Sequence, residues 1–465
     1  MIKKRNHGKL FSFLANIPLP STVAATSGGK RFLGHIFGNM HWWQIFLIIA
    51  GFLAIIFVIL ALFFNFGDST KNQWSSEIHP VDSQEFIQAL AHLSNAPIGH
   101  GGDVKILKNG DEFMPEFLDT VKNAQYSINF TAYIWEKGSM SDQIIAAFKE
   151  RAAAGVEIRI LLDGFGGNKA PTDKMDELKK LGVRIEKFRP AKFGKFSRID
   201  KRDHRRAIII DGQVGFMGGM AVADHWLGNG MDPLHWRDDM FEVHGVMAQS
   251  IQSAFVELWA GTTGEILEGS KFYPLVTKDA SAQSTYVNLV SSPAADTQPV
   301  PKFFWLSMAS AQKNIYLNSP YFVPDVHIRT VLMEKAKAGV DVRVLVPNKY
   351  NDAKPIRLAS QKYYEELLQA GVKIYEYQPS MIHAKVLVID GLWSVIGSAN
   401  MDSRSVQLNE EYIMGIQNPI LAKQLAQIFN DDLTHSKQIM LDEWKKRGLF
   451  QRIGESLFVN FAKQY

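Results

Sequence analysis

His383, Lys385 and Asp390 stand at an H-x-K-x-x-x-x-D spacing, with Gly397, Ser398 and Asn400 a short way beyond. Residues 386–389 are β-branched and apolar, which reads as a buried strand. Side chains two apart on a strand share a face, so His383 and Lys385 are expected to project together. Asp390 and Gly391 make a turn, and residues 394–396 return as a second strand that brings Ser398 and Asn400 near His383. An imidazole, an ammonium, a hydroxyl and a carboxamide in one small volume suit a tetrahedral phosphate. Lys385 and Asn400 would neutralise and hydrogen-bond its oxygens while His383 does nucleophilic or proton-transfer work.

A single triplet of this kind arises easily by chance, but the chain carries it twice. In residues 201–224, His204, Arg206 and Asp211 have the same spacing, and Gly218-Gly219 stands where the second copy has Gly397-Ser398. The flanking sequence repeats as well. Residues 154–161 match 338–345, residues 181–185 match 370–374, and Ala124-Gln125 matches Ala311-Gln312, all in the same order. This is an internal duplication. Two half-sites facing across a pseudo-twofold axis would set two histidines on opposite sides of one phosphorus.

The elements that must position these residues alternate along the chain. Strands at 127–133 and 156–162 flank a helix at 141–154, followed by a helix at 172–181 and a strand at 184–187. The second half reads as helix 303–313, strand 315–319, helix 326–338, strand 341–346, one long helix 354–370, the motif strands and helix 421–433. The pattern predicts an α/β fold of two duplicated lobes, each a mixed sheet flanked by helices. The expected division is a basic segment at 1–42, a transmembrane helix at 43–66, a linker and entry helix at 67–100 and a first lobe at 101–265. A Gly/Ser/Thr/Ala/Pro-rich linker at 266–301 and a second lobe at 302–465, ending in an amphipathic helix, complete it.

With 465 residues the chain can bury two cores, and 46% hydrophobic with 21% charged residues is an ordinary globular composition. The absence of cysteine excludes disulfides, thiol nucleophiles and cysteine-based metal sites. Residues 45–64 are free of charge and long enough for the ~30 Å hydrocarbon core, with His41, Trp42 and Trp43 as an interfacial belt. Lys3, Lys4, Arg5, Lys9, Lys30 and Arg31 precede them with no acidic residue. The expectation is a retained single-pass anchor in a bacterial inner membrane, N-terminus inside and catalytic body outside.

Residues 187–202 have no counterpart in the second half and interleave Lys187, Arg189, Lys192 and Lys195 with Phe188, Phe193 and Phe196. A solvated loop is the plain reading. The functional one is a rim for anionic lipid headgroups. Single-stranded nucleic acid suits the same chemistry, but the apolar segment favours lipid, so no nucleic-acid partner is expected. Nothing in the sequence sets an oligomeric state.

The paired motifs resemble the phospholipase D superfamily. Tyr321-Phe322-Val323-Pro324-Asp325, residues 339–347, Trp236-Arg237-Asp238, and residues 397–405 leading to Asn409-Glu410-Glu411 narrow the resemblance to bacterial cardiolipin synthases of the phospholipase D type. It runs from about residue 86 to the C-terminus. The resemblance implies transfer of a phosphatidyl group from one phosphatidylglycerol to another, giving cardiolipin and glycerol, with phospholipids as partners and neither cofactor nor metal. One motif histidine would attack phosphorus to form a phosphohistidine, and the other would protonate the leaving alkoxide and then activate the acceptor. By analogy His204 is the nucleophile and His383 the acid and base. Glu411 matches the acidic partner that the family places beyond His383, and Asp238 is its first-half counterpart. Gly219, Ser398 and Asn400 support the phosphate or the histidines, while Asp211 and Asp390 sit at strand ends and serve architecture more than chemistry. The first copy departs from the family pattern in Arg206 for lysine and Ala221 for asparagine. The readings that compete are a phospholipase D hydrolase or nuclease, and an anionic-lipid binding protein with impaired catalysis.

Overall fold

The computed structural model describes residues 41–64, 77–190, 201–276, 284–292, 299–402, 404–405 and 408–461. The chain forms two compact units, Met1–Asn72 and Gln73–Tyr465.

In the first unit, residues Trp42–Phe64 form an α-helix. Among the described residues, however, no helix is long and apolar enough to cross a membrane. The expected transmembrane helix at 43–66 is therefore corrected, and with it the membrane-embedded, single-pass localisation and the outward-facing body.

The second unit is mixed α/β. Its first strands are β1 (Ile98–His100), β2 (Val104–Lys108), β3 (Ser127–Ala132), β4 (Glu157–Asp163), β5 (Arg184–Phe188), β6 (Ile208–Ile210), β7 (Val214–Gly218) and β8 (Asp239–His244). They are followed by β9 (Thr285–Ser291), β10 (Asn314–Asn318), β11 (Asp341–Pro347), β12 (Lys373–Tyr377), β13 (Val386–Ile389), β14 (Trp393–Gly397), β15 (Glu411–Gln417) and β16 (Ser436–Ile439). A seven-stranded sheet has the order β2-β8-β7-β6-β3-β4-β5, and a nine-stranded sheet the order β1-β9-β15-β14-β13-β10-β11-β12-β16. Apart from β1 and β16 at its edges, the second sheet repeats the strand order of the first.

Local sequence explains the shared plan. In the first sheet β3, β4 and β5 are parallel, joined by helices Ser139–Ala153 and Thr172–Lys180 as parallel neighbours require. In each sheet the motif hairpin is antiparallel, β6 with β7 and β13 with β14. Its turn places Asp211 and Gly212 at φ +53° and +63°, and Asp390 and Gly391 at +56° and +65°. Two successive left-handed residues are what a primed hairpin turn needs, hence Asp-Gly at both places. β3, β13 and β14 are buried at every position, and β13 reads as an unbroken apolar run.

A shared core lies between the sheets. Ile209, Met217 and Phe241 of the first sheet pack in one cluster with Val388, Ile396 and Met414 of the second, together with Phe255 from helix Val246–Thr263 and Leu421 from helix Pro419–Thr434. Each such buried side chain contributes about 1.5–3 kcal/mol through the apolar area it removes from water. The motif strands are thereby clamped on the face opposite the flanking helices.

Three boundaries differ from the sequence expectation. The supposed linker 266–301 contains β9, an interior strand of the second sheet. The entry region contributes β1 to that same sheet. The expected helix 354–370 is two helices, Lys354–Gln361 and Tyr364–Gln369. Most of the basic insertion, residues 191–200, lies outside the described residues.

Candidate active site

Each motif histidine sits just before its strand and is laced by backbone bonds to the opposite half of the chain. His204 N–H donates to the Glu410 carbonyl (3.0 Å), and Glu410 N–H donates to that of Arg202 (2.8 Å). His383 N–H donates to the Arg237 carbonyl (2.6 Å), and Arg237 N–H to that of Met381 (2.9 Å). The residue after each strap is acidic, so the histidine–carboxylate pairs cross between halves. His204 Nδ1 meets Glu411 at 2.9 and 3.1 Å, and His383 Nδ1 meets Asp238 at 2.7 Å. The sequence reading kept each carboxylate with the motif of its own half. The structure exchanges them, because β8 and β15 carry their acidic residues to the seam between the sheets.

Ser398 moves with that exchange. Its hydroxyl donates to Glu411 Oε2 at 2.5 Å, so it serves the carboxylate that is paired with His204. Asn409 Nδ2 approaches the same carboxylate at 3.5 Å. Asn400 is buried, with its Oδ1 unpartnered. Gly219 packs its backbone against Asp238, whose carboxylate oxygens lie 2.3 and 2.5 Å from where a Cβ would stand.

The two motif cations adopt one posture. Lys385 Nζ donates to the carbonyl of His383 (2.6 Å) and lies 3.0 and 3.1 Å from the ring nitrogens of that residue. Arg206 Nη1 donates to the carbonyl of His204 at 2.5 Å. The guanidinium thus reproduces the lysine contact, and beside Ala221 it borders a small void otherwise lined by apolar groups such as Phe130, Met140 and Ile144.

Asp211 and Asp390 stand apart from this cluster, at the far end of each motif strand. Asp211 accepts the backbone N–H groups of Gln125, Tyr126 and Ser127 at 2.7–2.8 Å. Asp390 accepts those of Gln312, Lys313 and Asn314 at 2.7–2.9 Å. Their place in the catalytic set is corrected on that ground: both carboxylates are consumed in tying the hairpin to the neighbouring strand.

Burial, followed by the charge of Arg206, pushes His204 down to about 4, and burial with Lys385 pushes His383 to about 3. Arg206 also bears on His383 and Lys385 on His204, so all four groups feel one another across the seam. Burial likewise lowers Lys385 to about 7. Burial opposes ionisation of Asp238 and Glu411, yet their histidine partners, the cations Lys385 and Arg206 and the donors Trp226 and Ser398 together hold both carboxyls below their usual range. At neutral pH the pairs are therefore neutral imidazole on carboxylate, with Nδ1–H donated and Nε2 left unprotonated. The histidines are 5% and 3% exposed, so this chemistry is sheltered from bulk water.

Aromatic residues complete the site, and the motif spacing did not point to them. Tyr133 meets His204 edge-on (5.1 Å between centroids), and Trp226, Trp236 and Tyr321 surround His383 at 5.4, 5.3 and 6.0 Å. Of these, Trp236 and Tyr321 lay within stretches that carried the resemblance. Arg237, 1% exposed, forks onto Asp432 (3.0 and 2.9 Å) and Asp239 (2.6 Å), joining helix Pro419–Thr434 to the strand that carries Asp238.

The family model described as "Cardiolipin synthase, PLD-like domain" matches residues 117–229 and 306–433. A cardiolipin synthase of Halalkalibacterium halodurans is 35% identical over 381 residues, 80% of this chain and 74% of its own length. A cardiolipin synthase 2 of Bacillus anthracis is 34% identical over 377 residues, 81% of this chain and 73% of its own. Among solved structures, a phosphatidylserine synthase of Haemophilus influenzae shares the fold, with a TM-score of 0.63 at 14% identity over 82% of this chain and 98% of its own. The motif pair, the crossed histidine–carboxylate seam and these matches lead to one statement: the chain belongs to the phospholipase D-like family of cardiolipin synthases.

Proposed function

We infer that this protein is a phosphatidyltransferase that joins two phosphatidylglycerol molecules into cardiolipin and releases glycerol. The observation that carries the reading is the crossed seam, in which each motif histidine is buried, neutral and held through Nδ1 by a carboxylate of the other half. His204 Nε2 attacks the phosphorus of the donor lipid as the bond to the glycerol oxygen breaks, and His383 delivers a proton to that oxygen. The phosphatidyl group then rests on His204. The hydroxyl of a second phosphatidylglycerol gives its proton to His383 and attacks phosphorus, and the P–N bond breaks to restore His204. An anionic phosphodiester arriving between the rings favours the imidazolium that His383 must form to act as an acid. Lys385 and Arg206 supply positive charge for the phosphoryl oxygens.

The duplicated-lobe reading with its pseudo-twofold axis belongs here too, supported by the repeated strand order and the reciprocal pairing. Water as acceptor would turn the same steps into hydrolysis, and the slight exposure of both imidazoles argues for transfer. The test is lipid analysis of cells lacking their own cardiolipin synthesis, supplied with wild type, His204→Ala or His383→Ala. Cardiolipin should appear with the wild type alone. Its absence with the wild type, or its survival in either variant, overturns the reading.

A further inference from the structure

Both acidic partners need a second donor to keep them ionised and aimed, and the two halves meet that need differently. Glu411 has the Ser398 hydroxyl, at the position directly after the glycine that ends β14. The matching position after β7 is Gly219, which has no side-chain donor and whose backbone N–H goes to the Asp239 carbonyl. It cannot take a serine either, because an added Cβ would fall 2.3 Å from Asp238 Oδ1. The carboxylate of Asp238 already fills that space.

The missing donor comes from elsewhere. Trp226 Nε1 donates to Asp238 Oδ2 at 2.9 Å, the same oxygen that receives His383 Nδ1 at 2.7 Å. The indole is 1% exposed and meets the imidazole edge-on at 5.4 Å between centroids. Its short turn, Asp224–Trp226, is anchored from the far side. The Asp224 carboxylate accepts the N–H groups of Ser139 and Met140 at 3.0 and 2.9 Å, capping a helix whose own cap position, Gly138, has no side chain. The turn is thus fixed at both ends, by the helix start and by Asp238.

We propose that Trp226 is a positioning residue that substitutes for the serine of the other half, holding Asp238 ionised and thereby fixing the Nδ1–H tautomer of His383. This rests on the proposed assignment of His383 as acid and base. The carboxylate accepts three donors in a buried site, the Asp239 N–H on Oδ1 (2.9 Å) and Trp226 and His383 together on Oδ2, so losing the indole raises its proton affinity and loosens the ring that shares that oxygen. Trp226 itself moves no proton and touches no lipid.

The test compares wild type with Trp226→Phe, which keeps an aromatic ring and deletes the N–H. A second variant carries β-(3-benzothienyl)alanine at 226, which preserves the indole outline with sulfur in place of N–H and so keeps the test valid if the phenylalanine variant does not fold. In both, kcat for cardiolipin formation should fall roughly tenfold, the scale of one hydrogen bond to a charged group, while KM for phosphatidylglycerol changes little. The acid limb of the kcat–pH profile should move to higher pH, and the ¹⁵N shifts of the His383 imidazole should depart from the single-tautomer pattern. Unchanged pH limb and unchanged ¹⁵N shifts overturn the proposal. The ¹⁵N readout needs no turnover, so a wild type that makes no cardiolipin would sink the functional reading and leave this inference to be judged by the imidazole signals.

Discussion

Arg206→Lys should retain activity within several-fold of the parent, because either cation can donate to the histidine carbonyl as Lys385 does. Arg206→Ala should cost about a hundredfold in kcat by removing charge stabilisation at the phosphoryl oxygens. Steady-state rates on phosphatidylglycerol vesicles check both. Glu411→Gln and Asp238→Asn each keep shape but favour the wrong tautomer of the opposite histidine, so each should lower kcat by about 10²–10⁴-fold. The motif histidines and cations were legible in the sequence because a strand places residues two apart on one side, and that geometry is local. Which carboxylate serves which imidazole was not legible. Glu411 lies 28 residues beyond His383 in number but belongs to His204, 207 residues away. Only the seam between sheets decides that pairing, and no spacing along the chain encodes it. Trp226 escaped notice for the same reason, its partner being an acid that itself serves the other half.

At the level of elements, Asp211→Ala and Asp390→Ala should each destabilise the fold by about 3 kcal/mol, since each orphans backbone donors at a strand start. Activity per folded molecule should persist, and urea unfolding paired with rate measurements separates the two effects. Arg237→Ala should cost about 3–5 kcal/mol, as it leaves the buried Asp239 and Asp432 carboxylates unpaired. The alternation of helices and parallel strands was legible, since β4 and β11 lie in the repeated stretches with flanking periodic helices. The acid-bearing strands were not. β15 is buried at all but its last position, and Glu411 at its start breaks the apolar signal that marks a strand. β9 was hidden in a Ser/Thr-rich neighbourhood, where composition suggests a linker while Tyr286, Val287 and Leu289 pack inside.

For the whole molecule, the buried neutral histidines predict how stability depends on pH. In the unfolded chain imidazoles titrate near ~6.5, whereas His204 and His383 are held to about 4 and about 3 in the fold. Between these limits the unfolded chain binds more protons at these two sites, so their contribution to stability falls as pH drops below about 6.5, while Asp402 and Asp239, raised by burial to about 7 and about 6, act in the opposite direction. Asp238 and Glu411, whose folded values are depressed, withdraw their contribution only at still lower pH, as they protonate. Acidification from pH 7.5 to 5 should therefore lower the thermal midpoint of the wild type relative to that of a His204→Gln/His383→Gln variant.

The reciprocal strapping also bears on how such a gene can change. A lesion in one motif cannot be rescued by the intact motif beside it, because each repeat lends its acid to its sibling. The two motifs are thus inherited as a single mutational target. Split between β8 and β9, the polypeptide should yield two inert fragments, with turnover returning only when both are co-expressed and dock.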